Sequence, residues 1–330
     1  MTSSRTDDLA QALWYTGPGL ADIREERLPP LAAGHVRVRT LTSAISRGTE
    51  SLVAAGRVPE SEYQRMRAPF MAGQFPFPVK YGYAAVGQVE AGPPELAGRT
   101  VFALHPHQTR FDVPAGAVHV LPDGLPPERA VLAANMETAL NAVWDAGAGP
   151  ADRIAVIGAG VVGALVAYLC GQMPGAEVTL VDINPQRADL AAALGVGFAM
   201  PENAKGDCDV VFHASGSAAG LATALELAGL EATVLEMSWY GEGQIAVPLG
   251  GAFHSRRLRL VSGQVGQVAP SRRARWTHGR RLDAALALLK PGCLDALLMA
   301  AVGFDRLPQA LPRIFDAKSG ILCQLVDYRA

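Results

Sequence analysis

The sequence predicts a two-part α/β protein: a small, mostly β part, then a doubly wound parallel sheet flanked by helices. Three observations predict this. Residues 1–145 hold short alternating strands punctuated by glycine and proline. After residue 146, short apolar runs take turns with helical ones, the rhythm of a parallel sheet covered on both faces. Between the first such run and the first helix lies Gly158-Ala159-Gly160-Val161-Val162-Gly163, whose glycines are spaced for a tight strand-to-helix turn.

In the first part, His35-Val36-Arg37-Val38-Arg39-Thr40 alternates cleanly, so one face is buried and the other carries arginine. Further strands are expected at 83–90, 99–104 and 111–120, separated by turns such as Ala91-Gly92-Pro93-Pro94 and Pro122-Asp123-Gly124. Strands this short suggest a small barrel. Residues 59–78 contain Pro59, Pro69, Pro76 and Pro78 among several aromatics and read as a long ordered loop.

In the second part, strands are expected at 153–157, 177–181, 209–212, 232–237 and 258–262, with helices at 161–172, 185–194 and 221–228 between them. A further helix is expected at 281–289, and the tail ends in a strand-like stretch, 320–326. Each glycine of the turn has a separate task. Gly158 permits the tight turn, Gly160 lets the backbone approach a pyrophosphate, and Gly163 lets helix and sheet pack closely. The amides of Val161, Val162 and Gly163 then face the phosphates at the positive end of the helix. Asp182 closes the next strand, where an acid accepts hydrogen bonds from both ribose hydroxyls of an adenosine. It repels a 2′-phosphate, so NAD(H) is preferred and NADP(H) is the second choice. Arg187, five residues on, is the group that could pair with such a phosphate. Ser215 and Ser217 follow the fourth strand, at the end of the sheet that borders a ligand crevice, and suit cofactor contact or helix capping.

Bulk properties exclude several classes. The chain has 330 residues, room for two domains, and a net charge of −2 without a strong basic block. Arg256, Arg257, Arg259, Arg272, Arg273, Arg275, Arg280 and Arg281 are read as solvated arginines, so no nucleic-acid partner is expected. Residues 1–10 lack an apolar core, and the apolar stretch 154–170 is broken by glycines, so neither a leader nor a membrane span is expected. Cys170, Cys208, Cys293 and Cys323 lack zinc-ribbon or redox spacing, which suits a reducing cytoplasm.

A barrel followed by a glycine-turn Rossmann part resembles the medium-chain dehydrogenase/reductase superfamily over nearly the whole chain. The resemblance is carried by Gly48-Thr49-Glu50, by the segment from Tyr81 through Tyr83 to Gly87, by Glu137-Thr138-Ala139-Leu140-Asn141-Ala142-Val143 and by the glycine turn. It implies a GroES-like catalytic domain at 1–145, a Rossmann domain at 146–270 and a segment at 271–330 that returns to the catalytic domain. It also implies cofactor contact at Thr138 and a homodimer built through the last Rossmann strand, 258–263. The stretch around Arg47 is similar to bacteriochlorophyllide-type dehydrogenases of the same superfamily, a hint of a bulky or cyclic substrate.

The departures bear on mechanism. Zinc-dependent members hold their metal where this sequence has Arg47, Tyr83 and Ala133 or Ala134, and no cysteine precedes Cys170. Such side chains supply no zinc ligands, so no metal is expected. Reducing a carbonyl puts negative charge on oxygen, which then needs another donor. Tyr83 is read as a proton donor, Arg47 as an anion-orienting group, and Glu50 as orienting the ribose or holding Arg47. Lys80 is expected to lower the Tyr83 pKa. The function expected is zinc-independent, NAD(H)-dependent hydride transfer to or from a small carbonyl or alcohol substrate. The alternatives are an NADPH-dependent quinone or enoyl reductase and a non-catalytic dinucleotide-binding protein.

Overall fold

The computed structural model describes residues 9–329. The chain divides into two compact units, Met1–Ala134 with Leu298–Ala330 and Asn135–Leu297.

The first unit is mostly β. Strands β1 (Leu9–Gly17) and β2 (Leu20–Arg27) form an antiparallel hairpin. Next come β3 (His35–Ile45), helix α1 (Arg47–Ala54), the short β4 (Ala72–Gly73) and β5 (Val79–Lys80), and then β6 (Ala85–Ala91). Strands β7 (Thr100–Ala103), β8 (Arg110–Pro114) and β9 (Val118–Val120) lead to helix α2 (Pro127–Ala130). The C-terminal segment adds β16 (Leu298–Gly303), α8 (Leu307–Phe315) and β17 (Cys323–Asp327). One sheet runs β2-β1-β5-β4, the other β16-β17-β3-β6-β7-β9 with β8 on β3.

Strand β3 behaves as its alternation predicts. Val36 and Val38 are fully buried in a cluster with Val89, Val101, Phe111 and Val113. Arg37 points the other way and grips Asp112 with two bonds of 2.8 Å. The expected strand at 111–120 is two strands, because Pro114 and Gly116 turn the chain at a corner; β8 pairs with β3 and β9 with β7. The loop at 59–78 holds only a 3-10 turn and the two-residue β4. The hairpin, α1 and α8 were not anticipated. Strand β2 is largely exposed and has no apolar period, α1 opens on Arg-Gly, and α8 carries Pro308 at its start and Pro312 inside.

The second unit is a parallel α/β sheet. Helix α3 (Ala133–Ala146) leads in, followed by β10 (Arg153–Ile157), α4 (Val161–Gly171), β11 (Glu177–Val181), α5 (Arg187–Ala193) and β12 (Gly197–Ala199). Then come β13 (Cys208–His213), α6 (Ala218–Leu227), β14 (Ala228–Glu236), β15 (Arg259–Ser262) and α7 (His278–Leu288). The order β12-β11-β10-β13-β14-β15 is doubly wound, with its switch point between β10 and β13. Helix α4 is buried from Gly163 to Cys170, as its apolar sequence demands.

The basic stretch differs from expectation. Arg281 is 1% exposed and holds Glu137 at 2.9 Å, Asn141, and the main-chain carbonyls of Val265 and Gln267. Arg280 lies 4.0 Å from the Trp276 ring and Arg272 5.6 Å from that of Trp144, the two tryptophans being 4.7 Å apart. These three arginines are spent on packing. The Arg281 clamp ties α3 and α7 together within the second unit. Among the described residues, no helix is long and apolar enough to cross a membrane.

Candidate functional site

The glycine turn of the second unit is built as its spacing requires. A Cβ on Gly158, whose φ is +104°, would stand 2.7 Å from the Ser215 backbone. A Cβ on Gly163 would stand 2.0 Å from the Gly158 carbonyl. Gly160 is different: its φ is −75° and nothing lies within 4 Å of where a Cβ would stand. The fold does not need glycine there, and the space over Gly160 is open.

Helix α4 starts at this point without a side-chain cap, and Ala164 N donates to the Gly160 carbonyl at 2.9 Å. The amides of Val161, Val162 and Gly163 precede it, among the first amides of the helix, which have no intrahelical carbonyl to bind. Asp182, at the end of β11, accepts from Ala159 N at 2.7 Å and Asn184 N at 2.8 Å. Each oxygen keeps a second lone pair, so the carboxylate both pins the turn and stays able to take ribose hydroxyls. Burial pulls the Arg187 guanidinium below its usual range, partly offset by Asp182 nearby. The donor set fits a dinucleotide.

The ends of β13 and β14 hold a polar cluster of which sequence reading named Ser215 and Ser217 but missed Glu236 and Tyr240. His213, fully buried, lies 2.7 Å from Glu236 Oε2 through Nδ1 and 2.7 Å from Ser215 Oγ through Nε2. Tyr240 Oη donates to Glu236 Oε2 at 3.0 Å. Desolvation opposes ionisation of Glu236, but the hydrogen bonds from His213 and Ser238 outweigh it and hold its pKa below the ordinary range. Burial and the Glu236 charge push Tyr240 up to about 12. Ser217 caps α6 through the Gly220 amide, so of the two serines one caps and the other joins the cluster. The signal available was two polar residues, His213 and Glu236, each ending an apolar strand. Thr138 lies in the second turn of α3, and the neighbouring Glu137 is held by Arg281.

In the first unit, Tyr83, Arg47 and Glu50 gather around the start of α1. Tyr83 Oη donates to Ser46 Oγ at 2.6 Å. Burial, then the charge of Glu50, push its pKa up to about 12, while the Ser46 and Thr49 hydroxyls pull it partly back. Lys80 takes no part; its ammonium holds Glu26 at 2.6 Å and Gln108 at 2.9 Å, so the expected lowering of the Tyr83 pKa is corrected to a rise. Glu50 does not hold Arg47. Its carboxylate is fully buried and bonded to Ser46 N, Tyr15 Oη and His107 Nε2. His107 continues through Nδ1 to Ser43 Oγ, which meets Tyr328 Oη at 2.9 Å. Arg47 gives its terminal nitrogens to the carbonyls of Ile321 and Asp316, fastening the C-terminal segment to α1. That places main-chain carbonyls against its guanidinium.

Zinc does not fit these residues. Arg47, Tyr83 and the alanines at 133 and 134 offer no ligand set, and among the described residues no group of three or more His, Cys, Asp or Glu could hold a metal. His105 stacks on Phe111 at 3.8 Å and does not converge with His107, which is committed to Glu50.

No family model matches the chain. Solved structures do. L-idonate 5-dehydrogenase from Escherichia coli K-12 superposes with a TM-score of 0.80 at 16% identity, over 97% of this chain and 98% of that one. A short chain alcohol dehydrogenase from E. coli CFT073, complexed with NADH, gives 0.76 at 16% identity over 97% and 100%. Alcohol dehydrogenase TADH from Thermus sp. ATN1 gives 0.74 at 22% over 97% and 100%. A barrel unit completed by the C-terminal strands, a doubly wound unit with the glycine turn, and these superpositions lead to one conclusion: the chain has the GroES-like plus Rossmann fold of the medium-chain dehydrogenases and reductases.

Proposed function

We propose that the chain is a zinc-independent, NAD(H)-dependent oxidoreductase that transfers hydride to or from a carbonyl or alcohol substrate. The observation that carries this is the open space over Gly160, at the uncapped start of α4 and beside the turn that Asp182 pins. A relative with this fold is complexed with NADH, which supports the same cofactor here.

Bound nicotinamide supplies the hydride chemistry. The chain's own residues do the rest. The α4 amides hold the pyrophosphate, and Asp182 takes the ribose hydroxyls and repels a 2′-phosphate. Tyr83 keeps its proton at neutral pH and, by turning its hydroxyl from Ser46 Oγ to the substrate, is the donor suited to an oxyanion where zinc-dependent enzymes use a metal. Arg187, close enough to Asp182 to feel its charge, is the observation that favours the second reading, an NADPH-dependent quinone or enoyl reductase. We place the protein in a reducing cytoplasm because its four cysteines are free thiols.

Calorimetric titration with NADH and NADPH tests the cofactor, and a panel of aldehydes, ketones, enones and quinones assayed with chelator present tests the chemistry. NADH is expected to bind about tenfold or more tighter than NADPH, with turnover indifferent to chelator. Uptake of neither coenzyme overturns the proposal, and tighter NADPH binding selects the second reading. Activity lost to chelator and restored by zinc overturns the metal-free part.

A further inference from the structure

We propose that His213, held by Glu236, is a positioning residue that turns the Ser215 hydroxyl inward and leaves its oxygen an acceptor toward the bound dinucleotide. This rests on the reading that the second unit binds NAD(H).

Strands β13 and β14 run parallel with His213 opposite Glu236, so the two side chains leave the sheet together at its C-terminal edge. That edge, beside the switch point, is where open α/β sheets bind ligands. An ionised carboxylate only accepts hydrogen bonds. Ser238 N donates to Glu236 Oε1 at 2.7 Å and Tyr240 Oη to Oε2 at 3.0 Å, so His213 Nδ1, 2.7 Å from Oε2, carries a proton as well. A neutral imidazole protonated on Nδ1 has a bare Nε2. Ser215 Oγ, 2.7 Å away, must therefore donate to it.

That spends the only proton Ser215 has. Ser217 Oγ, 2.9 Å away, then donates to Ser215 and takes the Gly220 amide on its own oxygen. The exposed Ser215 oxygen is left with one lone pair for an incoming donor. A carboxamide nitrogen or a ribose hydroxyl meets that requirement.

Two glycines show how tightly the arrangement is seated. A Cβ on Gly220 would lie 2.1 Å from Ser215 Oγ and 2.8 Å from His213 Nε2, so α6 crosses the contact at a distance only glycine allows. The Ser215 backbone also packs on Gly158 of the phosphate turn, so a displaced serine would disturb the turn as well.

NADH is titrated by calorimetry into wild type, His213→Gln, His213→Phe and Ser215→Ala at about pH 8. If wild type does not bind, the dinucleotide reading fails and this inference with it; given wild-type binding, the variants test the inference alone. His213→Gln can donate to Glu236 and accept from Ser215, and is expected to bind within about threefold of wild type. His213→Phe removes the acceptor and is expected to raise the Kd about tenfold or more. Should His213→Phe not fold, Ser215→Ala, which leaves the buried pair intact, is expected to give the tenfold loss. Wild-type affinity in both His213→Phe and Ser215→Ala overturns the inference, and so does a loss in His213→Gln as large as that in His213→Phe or Ser215→Ala.

Discussion

Tyr83 and His105 show how burial sets the behaviour of single side chains. With its pKa pushed up to about 12, Tyr83 stays protonated through the working range of pH, suited to donate and unsuited to act as a base. Tyr83→Phe is therefore expected to lower kcat about 100-fold with NADH affinity unchanged, as measured by steady-state kinetics and calorimetry. His105 is held neutral: burial lowers its pKa to about 3, with the Pro106 carbonyl partly opposing. An unfolded histidine takes its proton near pH 6.5, so between about 6.5 and about 3 the unfolded chain binds a proton that the native one refuses. Stability is expected to fall as pH drops through that window. His105→Phe, which keeps the stack on Phe111, is expected to flatten the fall, and denaturant midpoints at about pH 7 and about pH 4 would check it. Positions such as Tyr83 and Glu50 could be picked from the sequence, but their partners could not. Glu50 meets Tyr15, 35 residues away, and His107, 57 away, and only the folded sheets bring those together.

The phosphate turn separates two uses of glycine within one element. Gly160→Ala has room and an ordinary φ, so it is expected to leave thermal stability within about 0.5 kcal/mol of wild type while weakening NADH binding about tenfold or more. Gly163→Ala drives a methyl into the Gly158 carbonyl and is expected to cost about 1–3 kcal/mol of stability as well as binding. Thermal melts and calorimetry on the two variants would distinguish a ligand-facing glycine from a packing one. This element could be read in advance because strand, turn and helix are adjacent in the chain and each glycine answers a local constraint. The hairpin of β1 and β2 could not: β2 is held by pairing with β1, and its own side chains carry no apolar period.

At the scale of the whole molecule, β15 is an edge of its sheet, and Leu260 and Val261 on it are 37% and 38% exposed. An exposed apolar edge strand is a template for pairing. We expect a homodimer formed by two copies of this edge. Light scattering should return twice the chain mass for wild type and a single chain mass for Leu260→Lys with Val261→Lys; a monomeric wild type would end that expectation. By itself the sequence determined the division into a β part and a parallel α/β part, the glycine turn, and the acid at 182, because these depend on short-range periodicity and on spacing along the chain. Tertiary structure alone decided that Arg281 is a buried clamp, that Arg47 fastens the C-terminal segment, and that His213 stands between Glu236 and Ser215. Those roles depend on which distant groups share a desolvated space, where an unpaired charge or donor is costly, and a linear pattern does not encode that.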